Sequence, residues 1–92
     1  MTKEVHLVFG TTGEYSDRLE WLVGAFSTVD AAQNHIEALT KVYHQFDRVR
    51  CGYSRKKEES SLLKEALKEL DPSFIEDYTG TAWYYESTVW RG

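Results

Sequence analysis

The chain reads as an α+β domain of order β-β-α-α-β, a small three-stranded antiparallel sheet with a long helix and a short helix packed on one face. Three observations lead to this class. Alternating runs occupy residues 4–10 and 19–26, and a run dense in β-branched and aromatic residues occupies residues 81–90. Apolar residues recur at three- and four-residue steps over residues 32–46 and 62–70. Turn-forming residues separate the runs, most clearly over Gly10–Arg18 and at Asp71-Pro72.

In the first strand, EVHLVFG places Val5, Leu7 and Phe9 on one side and His6 and Val8 on the other. The stretch GTTGEYSDR then collects glycines with Thr, Ser and Asp, residues that suit a hairpin loop. A second strand over Leu19–Phe26 alternates Leu19, Trp21, Val23 and Ala25 against Glu20, Leu22, Gly24 and Phe26, with Gly24 marking a bulge. Ser27 and Asp30 have capping-box spacing and predict a helix start. The stripe Ala32, Ile36, Leu39, Val42 or Tyr43, and Phe46 turns that helix toward the sheet. Arg48 and Arg50 complement its C-terminal dipole, and Gly52 ends it. The polar segment Tyr53–Ser60 reads as a mobile connector. Ser60 or Ser61 caps a shorter helix through Leu70, with Leu62, Leu63, Ala66, Leu67 and Leu70 as its apolar edge. Asp71-Pro72 stops it. Thr81–Trp90, TAWYYESTVW, is the third strand.

A chain of 92 residues supports one hydrophobic core, so residues 1–92 are expected to form a single domain. Hydrophobic residues at 41% and aromatics at 14% are globular proportions. Fifteen acids against eleven bases leave a net charge of -4, which argues against a nucleic-acid backbone as main partner. The single cysteine, Cys51, excludes an internal disulfide and a multi-cysteine zinc site, so a reducing cytoplasm is the expected compartment. No signal-peptide pattern or eighteen-residue apolar run occurs, which predicts neither export by that route nor a membrane span.

Catalytic signals are weak. His6, His35 and His44 lack metal-ligand spacing, and no role is assigned to them. Cys51 lies at a helix C-terminus, where the dipole works against a thiolate. Gly10-Thr11-Thr12-Gly13 lacks the Gly-Lys-Ser/Thr of a phosphate loop. No cofactor or metal is expected. A recognition surface is the better-supported reading, built from Glu14, Tyr15, Ser16 and Asp17 at the hairpin tip, Asp77 and Tyr78 in the last loop, and Tyr84 on the third strand. An alternative is a nucleic-acid-binding segment of Arg48, Arg50, Tyr53, Arg55, Lys56 and Lys57, where an aromatic is interleaved with bases. A second alternative is a small-ligand or enzymatic site with Glu14, Asp17 and Asp77 in one pocket. The acids Glu58, Glu59, Glu65, Glu69, Asp71, Glu76 and Asp77 form an acidic stretch that Lys64 and Lys68 interrupt. Two strand edges leave room for a homodimer.

The run H-L-V-F-G-T-T-G-E-Y-S-D-R over residues 6–18, followed by A-F-S-T-x-D-A-A over residues 25–32, resembles the opening of small phage and prophage accessory proteins. D-P-S-F at 71–74 and D-Y-T-G-T at 77–81 are similar to segments of longer members of that group. The resemblance implies a cytoplasmic accessory protein made in an infected or lysogenic bacterium. Together with the absence of a catalytic constellation and the aromatic third strand, it leads to the expectation of a non-enzymatic protein that binds, and inhibits or modulates, a bacterial host protein such as a defence factor. It brings no catalytic residues, and Tyr15, Ser16 and Asp17 carry over as motif positions alone.

Overall fold

The computed structural model describes residues 3–13, 18–51, 57–76 and 80–90, with the backbone alone at residues 50, 51, 57, 58 and 90. Strand β1 (Lys3–Thr12), strand β2 (Leu19–Phe26), helix α1 (Val29–Cys51), helix α2 (Lys57–Leu70) and strand β3 (Thr81–Trp90) follow in the predicted order. The sheet is antiparallel throughout and ordered β2-β1-β3, so the N-terminal strand is central and the C-terminal strand is an edge. Helix α1 lies across all three strands, and α2 packs along α1. The molecule measures 54 × 29 × 16 Å, too thin for a third layer, so both helices cover the same face.

In β1, His6, Val8, Gly10 and Thr12 are buried and Val5, Leu7, Phe9 and Thr11 between them are half-buried. The covered face is therefore the one with fewer large apolar residues on this strand. Aromatic side chains from the other elements fill the space. Tyr43 of α1 and Phe74 after α2 meet Trp83 of β3, and Phe46 of α1 meets Tyr43 and Phe74, with ring centroids 5.5–6.3 Å apart, alongside Leu39 and Leu67.

Three local expectations are corrected. In β2, Phe9 pairs with Leu22 and Val8 with Gly24, which leaves Val23 as the extra residue of a bulge. The bulge reverses the alternation beyond it. Ala25 is exposed, while Phe26 turns to α1 and meets His35 at 5.1 Å between ring centroids. The cap of α1 is Thr28 rather than Ser27: its Oγ1 accepts from the Ala31 amide at 3.0 Å, which moves Asp30 off the capping-box position into the first turn. Helix α2 begins at Lys57, so residues 57–60 are helical rather than connector. Charge suits the earlier start: Glu59 falls in the first turn, where a carboxylate favours the positive end of the dipole. Leu62 is exposed, and the buried edge of α2 is Leu63, Leu67 and Leu70.

The end of α2 makes the contact that ties sheet to helices. Asp71 is fully buried, and its Oδ2 accepts from Trp21 Nε1 at 2.7 Å and from Trp83 Nε1 at 3.0 Å. Its Oδ1 accepts from the Ser73 amide, and its carbonyl accepts from the Phe74 amide, a turn in which Pro72 supplies the preset φ. Trp21 reaches Asp71 by lying flat over Gly10 of the central strand. A Cβ at Gly10 would stand 2.5 Å from Trp21 Cζ2 and 2.6 Å from Nε1, well inside contact distance. At the residue before Asp71, His35 Nε2 donates to the Leu70 carbonyl at 2.8 Å, satisfying one of the acceptors left open at a helix end. His35 thus has a structural role that its sequence position did not reveal.

Removing a partner from a buried hydrogen bond leaves the remaining donors desolvated and unpaired. Asp71→Ala is expected to cost about 3–5 kcal/mol, a large part of the roughly 5–14 kcal/mol typical of a chain this size. Asp71→Asn keeps one oxygen for the two indoles and should cost less. Gly10→Ala is expected to cost about 1–3 kcal/mol by displacing Trp21. Urea unfolding followed by circular dichroism checks the order Asp71→Ala, then Gly10→Ala and Asp71→Asn, all below wild type; equal stability of Asp71→Ala and wild type would contradict the buried clamp.

Candidate functional site

The face of the sheet away from the helices carries Val5, Leu7 and Phe9 from β1, Leu22 from β2 and Tyr84 from β3. Strand alternation places them there, because each falls between the buried residues of its strand or pairs with one that does. Phe9 and Tyr84 are cross-strand partners and stack with centroids 5.5 Å apart and planes 22° apart. Leu22, which pairs with Phe9 from the other side, is 54% exposed. A large leucine so exposed beside two rings makes an apolar patch.

A polar chain borders the patch at the hairpin end. Arg18 contacts Glu20 at 2.9 Å and donates through Nε to Thr11 Oγ1 at 3.3 Å. Glu20 also acts on the Tyr84 phenol from across the central strand. Partial desolvation, reinforced by the Glu20 carboxylate and by Glu86, pushes the Tyr84 phenol above its ordinary value of 10.0; Arg18 opposes the shift.

Beyond this chain the sheet ends in a cleft of about 680 Å³, walled by Thr12, Gly13 and Arg18 on one side and by His44, Asp47 and Gly80 on the other. Thr12 pairs with Thr81, and Thr12 Oγ1 donates to the Gly80 carbonyl at 2.7 Å. Thr81 is held from below as its amide donates to Tyr43 Oη at 3.1 Å. Gly13 and Gly80 have φ values of 90° and 96°, left-handed conformations that favour glycine as the chain leaves the sheet. The stems of the two loops expected to form a recognition surface therefore meet at one end of the sheet.

Of the residues read from the sequence as partner-binding, Tyr84 lies on the open face, next to the stem of the hairpin. Glu14, Tyr15, Ser16, Asp17, Asp77 and Tyr78 lie outside the described residues, as do Tyr53, Arg55 and Lys56 of the basic alternative. Arg48 is exposed on α1, while Arg50 and Lys57 belong to two different helices, so the basic run is not one continuous connector. The acidic stretch is divided too: Asp71 is buried and Glu76 pairs with Lys64 at 3.1 Å. Among the described residues, no group of three or more His, Cys, Asp or Glu side chains is placed to hold a metal ion. No helix among them is long and apolar enough to cross a membrane.

Sequence reasoning missed Arg18 and Glu20 as borders of the patch, and it read Asp71 as a helix stop. A usable signal existed for Asp71, since the indole N–H of each tryptophan turned inward, here Trp21 and Trp83, needs an acceptor. For Arg18 and Glu20 no signal existed, because which residues Tyr84 faces depends on the pairing of β3 with β1. Compared with known proteins, the chain matches no family model, no curated protein and no solved structure.

The Tyr84 contact has a pH signature. A phenol whose folded-state value is raised contributes stability that is fully present below its unfolded value near 10.0 and is lost as pH rises through the folded value. Tyrosinate absorbance of wild type minus that of Tyr84→Phe should therefore titrate above pH 10.0. In a Glu20→Gln background the same difference should move down toward 10.0. No change with Glu20→Gln would count against the cross-strand influence of Glu20 on Tyr84.

Proposed function

We propose that the protein is a non-enzymatic binding module that docks a partner protein on the open face of its sheet. The observation that carries this reading is the uncovered apolar patch of Val5, Leu7, Phe9, Leu22 and Tyr84 on a two-layer fold whose helices lie on the other side. Its make-up, an apolar patch with Phe9 at the middle, Leu22 and Tyr84 on either side, and Arg18, Glu20 and Glu86 around it, matches the anatomy of protein interfaces.

Size supports a larger footprint than the patch alone. Strands of 10 residues at about 3.4 Å per residue and about 4.8 Å spacing make a face of roughly 450 Å². A stable complex usually buries about 800 Å² per partner, so the loops leaving the sheet at Gly13 and Gly80 are needed to complete the surface. This is where Glu14, Tyr15, Ser16, Asp17, Asp77 and Tyr78 enter the proposal. The partner is a bacterial host protein of the cytoplasm, such as a defence factor, which the bound module inhibits or modulates; the resemblance of residues 6–18 and 25–32 to phage and prophage accessory proteins supports that sharper form.

The test is affinity capture from nuclease-treated bacterial lysate with wild type beside Leu22→Asp. Leu22 is exposed, so the charge leaves the core intact while placing an unpaired carboxylate in the patch beside Phe9. One protein retained by wild type and reduced at least about tenfold by Leu22→Asp is expected. Equal recovery by both would overturn the open-face reading, and recovery abolished by nuclease would return weight to the basic residues.

A further inference from the structure

The two edges of the sheet differ. The β2 edge is 8 residues long and broken by the bulge at Val23, a device that spoils pairing with another strand. The β3 edge is 10 residues long, keeps unbroken register with β1 from Thr81 to Trp90, and has neither proline nor lysine. On the outer side the Thr81 amide donates to Tyr43 Oη, and among the described residues no further hydrogen bond is made to the backbone of residues 82–89 outside the ladder to β1. This is an unprotected template for one more strand.

A groove runs beside it. A hollow of about 470 Å³ is lined by Gln33, Ile36 and Glu37 of α1 and by Trp83, Tyr84 and Tyr85 of β3. Side chains of successive strand residues point to opposite faces, so three consecutive residues can line one hollow only along the strand's edge. The groove is thus bounded by a free strand edge on one side and a helix on the other, with Ile36, Trp83 and Tyr85 providing an apolar floor. Strand addition needs both parts, main-chain groups for affinity and a pocket for alternate side chains.

Charge selects among occupants. Glu37 on the helix wall and Glu86 on the strand are both exposed, and neither is in an ion pair among the described residues. An antiparallel pairing of β3 with its own copy would bring these acids toward their counterparts on chains already at -4 each. A strand carrying Lys or Arg gains from the same charges. We propose that the groove between α1 and the β3 edge takes an extended, basic peptide segment of the partner as a fourth strand, its alternate apolar side chains directed onto Ile36, Trp83 and Tyr85. This rests on the protein-binding reading above and specifies the form of the bound segment.

The test selects displayed random linear peptides on the full chain and measures an enriched synthetic peptide by fluorescence polarisation and by backbone amide exchange. The expected peptides alternate apolar residues, carry Lys or Arg and lack internal proline; binding slows exchange of β3 amides on the outer edge. Gln33→Trp, at an exposed helix position, should fill the groove and weaken binding at least about tenfold. Glu37→Lys should shift selection from basic toward acidic peptides. The proposal is overturned if no peptide is enriched, if Gln33→Trp binds equally well, or if protection appears at Leu7 and Leu22 instead of along β3. It is also overturned if light scattering shows a dimer that Gln33→Trp dissociates, which would assign the edge to a second copy. Should peptide selection fail while Leu22→Asp still abolishes capture from lysate, the open-face reading stands and the edge inference alone falls.

Discussion

One oxygen of Asp71 accepts hydrogen bonds from two indoles that belong to opposite edges of the sheet. Trp21 stands on β2 and Trp83 on β3, strands that never touch because β1 lies between them. The bridge is feasible because Gly10 on β1 has no side chain, which lets the Trp21 ring cross the central strand at contact distance. The acceptor comes from neither sheet edge but from the residue that ends α2. A single buried group therefore fixes the sheet's width and the height at which the helices sit above it. A fully buried carboxyl group would be costly with its oxygens unpaired; three donors from Trp21, Trp83 and the Ser73 amide make it tolerable and leave little freedom in geometry.

The neighbours of Asp71 extend that constraint. His35 joins α1 to the end of α2 through the Leu70 carbonyl while packing on Phe26 of β2. Phe74, positioned by the turn after Asp71, stacks on Trp83 and meets Tyr43 and Phe46. Tyr43 in turn receives the Thr81 amide at the start of β3. The aromatic core is thus concentrated on one side, where large rings supply much of the apolar area that a short chain can bury. Concentrating it there leaves the opposite face with residues that a second layer would otherwise cover. That face and the β3 edge are adjacent, and Tyr84 belongs to both, stacking on Phe9 over the sheet and lining the groove beside α1. A partner contacting one surface is well placed to engage the other.

Element types and order were legible in the amino-acid sequence because each rests on short-range chemistry. Alternation marked β1, the density of β-branched and aromatic residues marked β3, the stripe from Ala32 to Phe46 marked α1, and Asp71-Pro72 marked the end of α2. Local reading erred where a neighbour one residue away offers nearly the same chemistry: Thr28 caps in place of Ser27, and residues 57–60 join the helix whose first turn they make acidic. It also erred in extending alternation through Val23, since a bulge inserts one residue without a local mark beyond Gly24 nearby. The candidate binding surface was legible in part. Tyr84 was named from its strand, while Leu22, Arg18 and Glu20 acquire meaning only from what they face.

The sequence by itself determined the α+β class, the β-β-α-α-β order and an aromatic-rich core, since periodicity, turn residues and capping act over a few neighbouring positions. The tertiary structure alone decided that β1 is central, that the Val5, Leu7 and Phe9 side of β1 is left uncovered, and that Asp71 holds Trp21 and Trp83 together. The physical reason is separation along the chain. Asp71 and Trp21 are 50 residues apart and Thr12 and Gly80 are 68 apart, so which strand lies beside which, and which face the helices cover, is settled by how the whole chain best buries its rings and pairs its buried donors.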